Sequence, residues 1–460
     1  MTDPDRLPCS GRLTCSLYIH IPFCSRRCSY CDFNTYAGLE SLIPAYVSAL
    51  CGEIRLYGEA AALEDLPAAR LPVHTVFLGG GTPSLLPLVE LERIFSAVRE
   101  AFDLLPGVEI SLEANPGTVD PASLRGMREL GINRLSLGMQ SVHADELELL
   151  GRIHTCEQVV QAVDWARAAG FDNLNLDAIF GLPAQTLARW EATLRRSLAL
   201  GVEHLSLYAL TLEEGTPLLG RVEAGELPQP DPDLAADMYD LATELLESAG
   251  YQQYEISNWA KSAGNGQSDV ENPSYACRHN LQYWRNQPYI GVGAGAHSYI
   301  NLMESGNMGD GSGLAAPSTQ ISEHNPRPGL RIANVLAPTE YIRRMVGRAG
   351  KRKPFPQSTA TAQSSPAPEW VSPSVAQVTP IDMQTEIGET MMMGLRLTRE
   401  GVSRAAFQAR FGRELLDLFG AQIERLIRLG LLEWAGAQGE VLRLTRRGRF
   451  VGNQVFVEFI

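Results

Sequence analysis

Tyr18-Ile-His-Ile-Pro-Phe-Cys24-Ser-Arg-Arg-Cys28-Ser-Tyr-Cys31 holds three cysteines with three and then two residues between them. Three thiolates at that spacing can wrap one loop around three corners of a cubic iron–sulfur cluster. Four cysteines would leave no iron open. With three, the last iron keeps an exchangeable position, as a reactive site requires. A zinc knuckle is the competing reading. Zinc calls for a fourth Cys or His close by, and the next candidates, Cys51 and His74, follow no motif spacing.

Outward from this loop, short strand-like runs alternate with helical stretches. The strands are Ser16–Ile21, Val73–Leu78, Val108–Leu112, Asn133–Leu137, Asn173–Ala178 and His204–Tyr208. Leu85–Phe102, Cys156–Ala169 and Thr186–Leu200 between them carry apolar residues at helical spacing. Strand–helix alternation predicts parallel strands with helices outside, an α/β fold. Six units predict an incomplete (β/α)6 TIM-like barrel. Each strand ends in residues that suit a core poorly: the cysteine loop, Gly79-Gly-Gly-Thr82, Glu113, Gln140, Asp177 and Tyr208. In such barrels those ends face one mouth, so the six predict a composite site.

Composition narrows the partners. No apolar run approaches the roughly 18 residues of a membrane span, and Met1–Asp5 lacks a signal-peptide layout. The expected location is the cytoplasm. A net charge of −14 argues against a general nucleic-acid partner. Eight cysteines in 460 residues are too sparse for a disulfide scaffold, so Cys9, Cys15, Cys51, Cys156 and Cys277 are expected to be free structural thiols.

The chain divides into a tail (1–14), the barrel (15–300), a connecting region (301–382) and a C-terminal module (383–460). Within the third part, 303–329 reads as an exposed loop, Thr339–Val346 as a short helix and Pro354–Pro380 as a disordered linker. The module reads as three helices followed by strands Val441–Thr445 and Val455–Phe459, a winged-helix-like α+β pattern. From Gln384 it holds 11 Arg against 9 acidic residues, which suits a lid or docking module better than a DNA reader.

Three groups of residues carry chemistry. Gly79-Gly-Gly-Thr82 is either an ordinary turn or a loop whose backbone approaches a ligand closely. Glu113 and Asp177 could cap helices or pair with surface cations. Alternatively they bind a ribose or offset a cationic ligand, with Gln140 and Arg152 completing the shell. His279-Asn-Leu-Gln-Tyr283-Trp284 offers an imidazole flanked by flat rings, which could pack a barrel end or lie against a porphyrin.

The cysteine spacing resembles the radical S-adenosylmethionine superfamily, in which the methionine amino and carboxylate groups chelate the fourth iron. The motifs Tyr18–Cys24, the triglycine loop, Leu112-Glu-Ala-Asn-Pro116, Leu150-Gly-Arg-Ile-His154, Phe180-Gly-Leu-Pro183, His279–Trp284 and Leu444-Thr-Arg-Arg-Gly448 together resemble HemW. That is the haem-chaperone branch of the oxygen-independent coproporphyrinogen III oxidase family. The resemblance assigns Cys24, Cys28 and Cys31 to a [4Fe–4S] cluster. It assigns Tyr18, Gly80, Gly81, Thr82, Glu113, Gln140, Arg152 and Asp177 to S-adenosylmethionine, and His279, Tyr283 and Trp284 to haem, with Cys277 an alternative ligand.

It further implies a haem-acceptor protein, such as a respiratory haem enzyme, and a reductant such as flavodoxin or ferredoxin if turnover occurs. The alternative is a true oxidase, decarboxylating coproporphyrinogen III propionates by a 5′-deoxyadenosyl radical. The oxidases carry a fourth cysteine where this chain has Phe33, and a longer extension before the first; here Cys24 follows only 23 residues. Both differences favour the chaperone branch. Lys261–Ala276, 303–329 and 354–380 are longer than the family pattern.

Overall fold

The structure is a computed structural model that describes residues 14–63, 70–263, 271–300, 329–346 and 372–460. The expected tail up to residue 13, the loop at 303–328 and the linker at 354–371 lie outside these residues.

All six strands expected of the barrel are present: β1 (Cys15–Ile21), β2 (Leu71–Gly80), β3 (Phe102–Ala114), β4 (Arg134–Gln140), β5 (Leu174–Phe180) and β6 (His204–Ala209). They are parallel and lie side by side in chain order. Residues of a strand alternate between two faces. One face carries Leu17, Ile19, Val76, Leu78, Ile110, Leu112, Leu135, Leu137, Leu174, Leu176, Leu205 and Leu207, all buried against helices such as Ile43–Leu63, Leu88–Ala101 and Leu187–Ala199. The other face is the barrel interior, and it is polar: Ser16, Thr75, Glu109, Ser111, Arg134, Ser136, Asn175, His204 and Ser206 are buried there. Asp120, Thr155, Thr186 and Asp231 start four of the helices by accepting backbone N–H bonds.

The barrel does not close; the sheet continues past both edges to twelve strands among the described residues. Beyond β6 come Asn258–Lys261 and Tyr251–Glu255. Beyond β1 come Tyr289–Val292, parallel to it, then His297–Ile300, Gly329–Asn334 and Val375–Ile381, antiparallel. The last of these corrects the expected linker. Val375–Ile381 is an edge strand with few buried residues, and Pro380 is tolerated because it sits at the edge. The carboxylate of Glu53, fully buried in helix Ile43–Leu63, ties this extension to the barrel. It accepts from Gly293 N (2.8 Å), Asn334 Nδ2 (3.0 Å), the Tyr341 hydroxyl (2.6 Å) and Ser374 Oγ (2.5 Å).

The C-terminal part has its own apolar core, and it contains the three expected helices, Met383–Gly394, Arg404–Phe411 and Leu415–Arg428, with two short ones, Arg446–Phe450 and Gly452–Phe456, after the wing. The wing pairs Val441–Leu444 with Leu432–Ala435 and Val402–Ser403, which preserves the winged-helix-like pattern. Val455–Phe459, expected as a strand, is instead helical, within Gly452–Phe456 and a following 3-10 turn. Its buried residues Val455, Phe456 and Phe459 fall one and then three apart, a helical spacing that a short apolar run conceals. Among the described residues no helix is long and apolar enough to cross a membrane.

Glu53→Ala would orphan four donors at once. We expect a loss of about 2–4 kcal/mol in urea denaturation, from the unmet hydrogen bonds of buried polar groups.

Candidate functional site

At the C-terminal ends of the strands lies a cleft of about 410 Å³. The cysteine loop forms one wall. Phe23–Cys24 pairs with Tyr36–Ala37, and Tyr36 N donates to Pro22 O (2.7 Å). Ser29 holds the middle of the loop: its N donates to Leu150 O (3.0 Å), its Oγ to Leu149 O (2.6 Å), and its carbonyl accepts from Leu218 N (2.9 Å). Gly151 makes this approach possible. It has a φ of +72°, and a Cβ there would lie 3.1 Å from Ser29 N. Cys24, Cys28 and Cys31 are free, half-buried thiols lining the cleft. Among the described residues no three or more His, Cys, Asp or Glu side chains converge to hold a single metal ion.

The opposite walls come from the other strand ends. Gly81 N donates to Ile21 O and Thr82 N to Phe23 O, both at 2.8 Å, which ties the glycine loop to the chain that enters the cysteine loop. Glu113 Oε2 accepts from Gly80 N at 3.1 Å. The Glu113 carboxyl opens to the cleft but is sunk far below the surface. That desolvation, with the nearby charge of Asp177 and against the Gly80 bond, raises it to about 7. Asp177 is likewise pushed up by burial, while Ser136 Oγ (3.0 Å) and Asn175 Nδ2 (2.9 Å) donate to it and oppose the shift.

Gln140 sits at a bulge in β4 with a φ of +66°, an unusual conformation for a residue with a side chain. Its side chain and Arg152 both fold over Gly138, where a Cβ would lie 2.8 Å from one and 2.9 Å from the other. Arg152 donates to Gly138 O (2.9 Å) and reaches Cys28 Sγ (3.5 Å). Cys24, Cys28, Cys31, Gly80, Gly81, Thr82, Glu113, Gln140, Arg152 and Asp177 thus line one cleft, with Tyr208 exposed into it. A carboxylate pair, an amide and a guanidinium beside three thiols can receive a zwitterionic, cationic ligand next to a metal cluster.

Tyr18 is not part of the cleft lining. It lies lower in the barrel, its hydroxyl 2.9 Å from His20 Nδ1 and its ring stacked near Phe77.

The segment from His279 to Trp284 is also elsewhere. It forms helix Arg278–Trp284 against the middle of β2, about 16 Å along the strand from Gly80 at ~3.3 Å per residue. The His279 imidazole is buried, with Nδ1 2.8 Å from Thr75 Oγ1, Nε2 3.0 Å from the Tyr283 hydroxyl, and Phe77 stacked on the ring. Burial pushes its pKa down to about 3. Both nitrogens are engaged, so as folded it offers no axial position to haem iron. Cys277 is equally withdrawn: fully buried, it donates to Glu109 Oε1 at 3.5 Å. Trp284 faces the C-terminal part instead, under the guanidinium of Arg396 at 4.4 Å.

The polar interior below the cleft went unread in the sequence. Asn175 Oδ1 accepts from Ser206 Oγ (3.1 Å) and His204 Nδ1 (2.6 Å); His204 Nε2 then accepts from the Tyr254 hydroxyl (2.9 Å). Glu109 accepts the N–H groups of Arg278 (3.0 Å) and His279 (3.1 Å) at the start of the plugging helix. Its only signal in the sequence is polar residues at every second position of otherwise apolar strands.

Comparisons with known proteins agree with this geometry. Residues 18–196 match the Radical SAM superfamily and residues 381–451 the HemN C-terminal domain. The chain is 32% identical to "Heme chaperone HemW" of Bacillus subtilis (strain 168), over 97% of this chain and 99% of that one. It is 40% identical to the protein of that name from Synechocystis sp., over 69% of this chain and 74% of that one. Among solved structures, coproporphyrinogen III oxidase (HemN) from Escherichia coli, a radical SAM enzyme, superposes with a TM-score of 0.72 at 20% identity, covering 98% of this chain and 90% of that one. At that identity the likeness speaks for the fold alone.

The Glu113 carboxyl gives a pH signature. Its folded value of about 7 lies above the ordinary 4.5, so between these the folded chain keeps a proton that the unfolded chain has lost. Stability should therefore fall as pH rises through that window. Glu113→Gln should remove this share of the slope, at most about 3 kcal/mol, in urea denaturation at about pH 5 and about pH 8.

Proposed function

The chain belongs to the HemW family of the radical SAM superfamily, and from that footing we propose that it is a haem chaperone that holds a [4Fe–4S] cluster and S-adenosylmethionine at the barrel mouth and hands haem to an acceptor protein. The single observation behind the cofactor assignment is the shared cleft, where three thiols meet Gly80, Gly81, Thr82, Glu113, Gln140, Arg152 and Asp177.

The residues fit the two groups. Cys24, Cys28 and Cys31 would bind three irons through their thiolates. Glu113, with the Gly80 backbone beside it, would take the ammonium group of the methionine moiety. Arg152 would face its carboxylate, and Asp177 and Gln140 the remaining polar atoms. When bound, the cluster supplies a one-electron donor beside the sulfonium. The protein's part is to desolvate the ligand and hold it by fixed charges, because Glu113 and Asp177 are positioned before it arrives. An ammonium beside Glu113 would draw off the proton that burial retains. Family likeness supports haem as the cargo, with a respiratory haem enzyme as acceptor. An oxygen-sensitive cluster calls for a reducing compartment, which supports a cytoplasmic location.

The alternative, decarboxylation of coproporphyrinogen III, has no observation here that favours it over the chaperone.

Anaerobic reconstitution followed by haem titration tests the proposal. Wild type should take up iron and sulfide, bind S-adenosylmethionine and bind haem. Serine in place of Cys24, Cys28 or Cys31 should abolish the visible absorbance of the cluster. Arg152→Ala should weaken S-adenosylmethionine about 10- to 100-fold, the range for a lost charge-assisted hydrogen bond. His279→Ala should leave haem affinity within about threefold, well below the roughly 1.5 kcal/mol that even a modest charge-assisted contact supplies. Protoporphyrinogen formed from coproporphyrinogen III with a reductant would replace the chaperone reading by the oxidase.

A further inference from the structure

The run Tyr289-Ile-Gly-Val-Gly-Ala-Gly-Ala-His-Ser298 has no part in the cleft, and its histidine stands apart from the others described. His20, His204 and His279 have both ring nitrogens in hydrogen bonds. His74 and His154 are buried, and His143 Nε2 is 3.0 Å from Arg189 O. His297 is exposed, and among the described residues neither of its nitrogens has a hydrogen-bond partner. Partial burial and the charge of Arg331 hold its pKa below the ordinary value, so the ring is neutral at neutral pH.

The sheet extension explains what surrounds this imidazole. Residues opposite one another on neighbouring strands share a face. His297 pairs with Ala333, and Ala333 with Gln377. On its other side, two residues along from the Tyr289–Tyr299 pair, lies Gly291. The imidazole therefore rises between an alanine and a glycine, with no bulky side chain next to it in its row. The neighbouring row is Tyr289, Tyr299 and Arg331, and that row is covered. Tyr289 meets the ring of Tyr283 at 4.6 Å, and Arg331 lies over Tyr299 and pairs with Glu389 of helix Met383–Gly394 at 2.8 Å. His297 and Gln377 are exposed just past the edge of that cover. The result is a step with small residues as its floor, an imidazole standing on it, and the tyrosines and the module as its wall.

A bare metal ion would find too few ligands here. The row offers it no second imidazole, thiolate or carboxylate, and Glu389 is taken by Arg331. An iron already held in a porphyrin needs only an axial ligand, and its flat ring needs the small floor on either side. We propose that His297 is the axial ligand through which the chain holds haem, with the macrocycle lying over Ala333 and Gly291 beside the module. This rests on the haem-chaperone reading above and names the residue that does the holding. A cargo held at an exposed step through one side chain can also leave, as transfer to an acceptor demands.

Ferric haem titrated into the reconstituted full chain tests this, by absorbance and by the paramagnetic signal of the haem iron. His297→Ala should weaken haem at least about tenfold and abolish the histidine-ligated spectrum. Free imidazole added to that variant should restore the spectrum. His297→Met should keep haem at a raised reduction potential, because a thioether replaces the imidazole. Cluster content and S-adenosylmethionine binding should stay at the wild-type level in both variants, since the step lies outside the cleft. An alanine variant with wild-type affinity and spectrum overturns the proposal and leaves the chaperone reading standing. Should the alanine variant lose its cluster as well, the methionine variant decides: haem at a raised potential supports the ligand role, and haem at the wild-type potential overturns it. A wild-type chain that binds no haem removes the chaperone reading itself, and this role with it.

Discussion

The polar network inside the barrel is the constraint on which the rest depends. A sheet with helices on one face must put something on the other, and here it is Ser, Asn, Asp, Glu, Arg and His. Asp177 can sit at the cleft floor only because Ser136 and Asn175 donate to it. Asn175 in turn is oriented by Ser206 and His204. His204 is neutral, since burial depresses it well below its ordinary range. Its Nδ1 must donate to the Asn175 oxygen, which leaves Nε2 to accept from Tyr254. Apart from the Asn175–Asp177 bond within β5, each link crosses between strands. The cleft carboxylate is therefore in place only when β4, β5 and β6 are in register, and a one-residue slip would turn every one of these groups onto the helix face.

The same network explains what helix Arg278–Trp284 does. Glu109, from β3, accepts the first N–H groups of that helix, and His279 fills the space between Thr75, Phe77 and Tyr283. The far end of the helix touches the C-terminal part. Trp284 lies under Arg396, Arg285 pairs with Glu400 at 2.9 Å, and Arg410 donates to Asn286 O at 2.8 Å. The segment is a joint, one side set in the barrel and the other in the module. The module's arginines are correspondingly occupied: Arg410 with Glu386, and Arg446 with Asp240 and Glu244.

The cysteine loop is held from outside itself. Ser29 is gripped by Leu149, Leu150 and Leu218, and its approach depends on Gly151 having no Cβ. Arg152, next along the chain, reaches back to Cys28. A motif that reads in the sequence as Leu-Gly-Arg-Ile-His is thus half scaffold and half site. Its glycine seats the loop and its arginine reaches a sulfur.

Strand and helix order, the gathering of the strand ends at one mouth and the placing of the three cysteines in one loop there were all legible in the sequence, because periodicity and cysteine spacing are local properties of the chain. Gly80, Gly81, Thr82, Glu113, Gln140 and Asp177 stand at or near a strand end, and Arg152 just past the short helix after β4, which is why all of them line the one cleft. The depth of Tyr18 and His279 was not legible, because a residue type says nothing of depth: an imidazole suited to iron is equally suited to a buried slot between a threonine and a tyrosine. Val375–Ile381 and Val455–Phe459 were misread because an edge strand buries too little to show a period and a five-residue apolar run fits either one. The interior network belongs to the tertiary structure alone. Hydrogen bonds between residues tens to hundreds of positions apart exist only once the strands lie side by side, and no local pattern records which buried polar atom is left waiting for a partner.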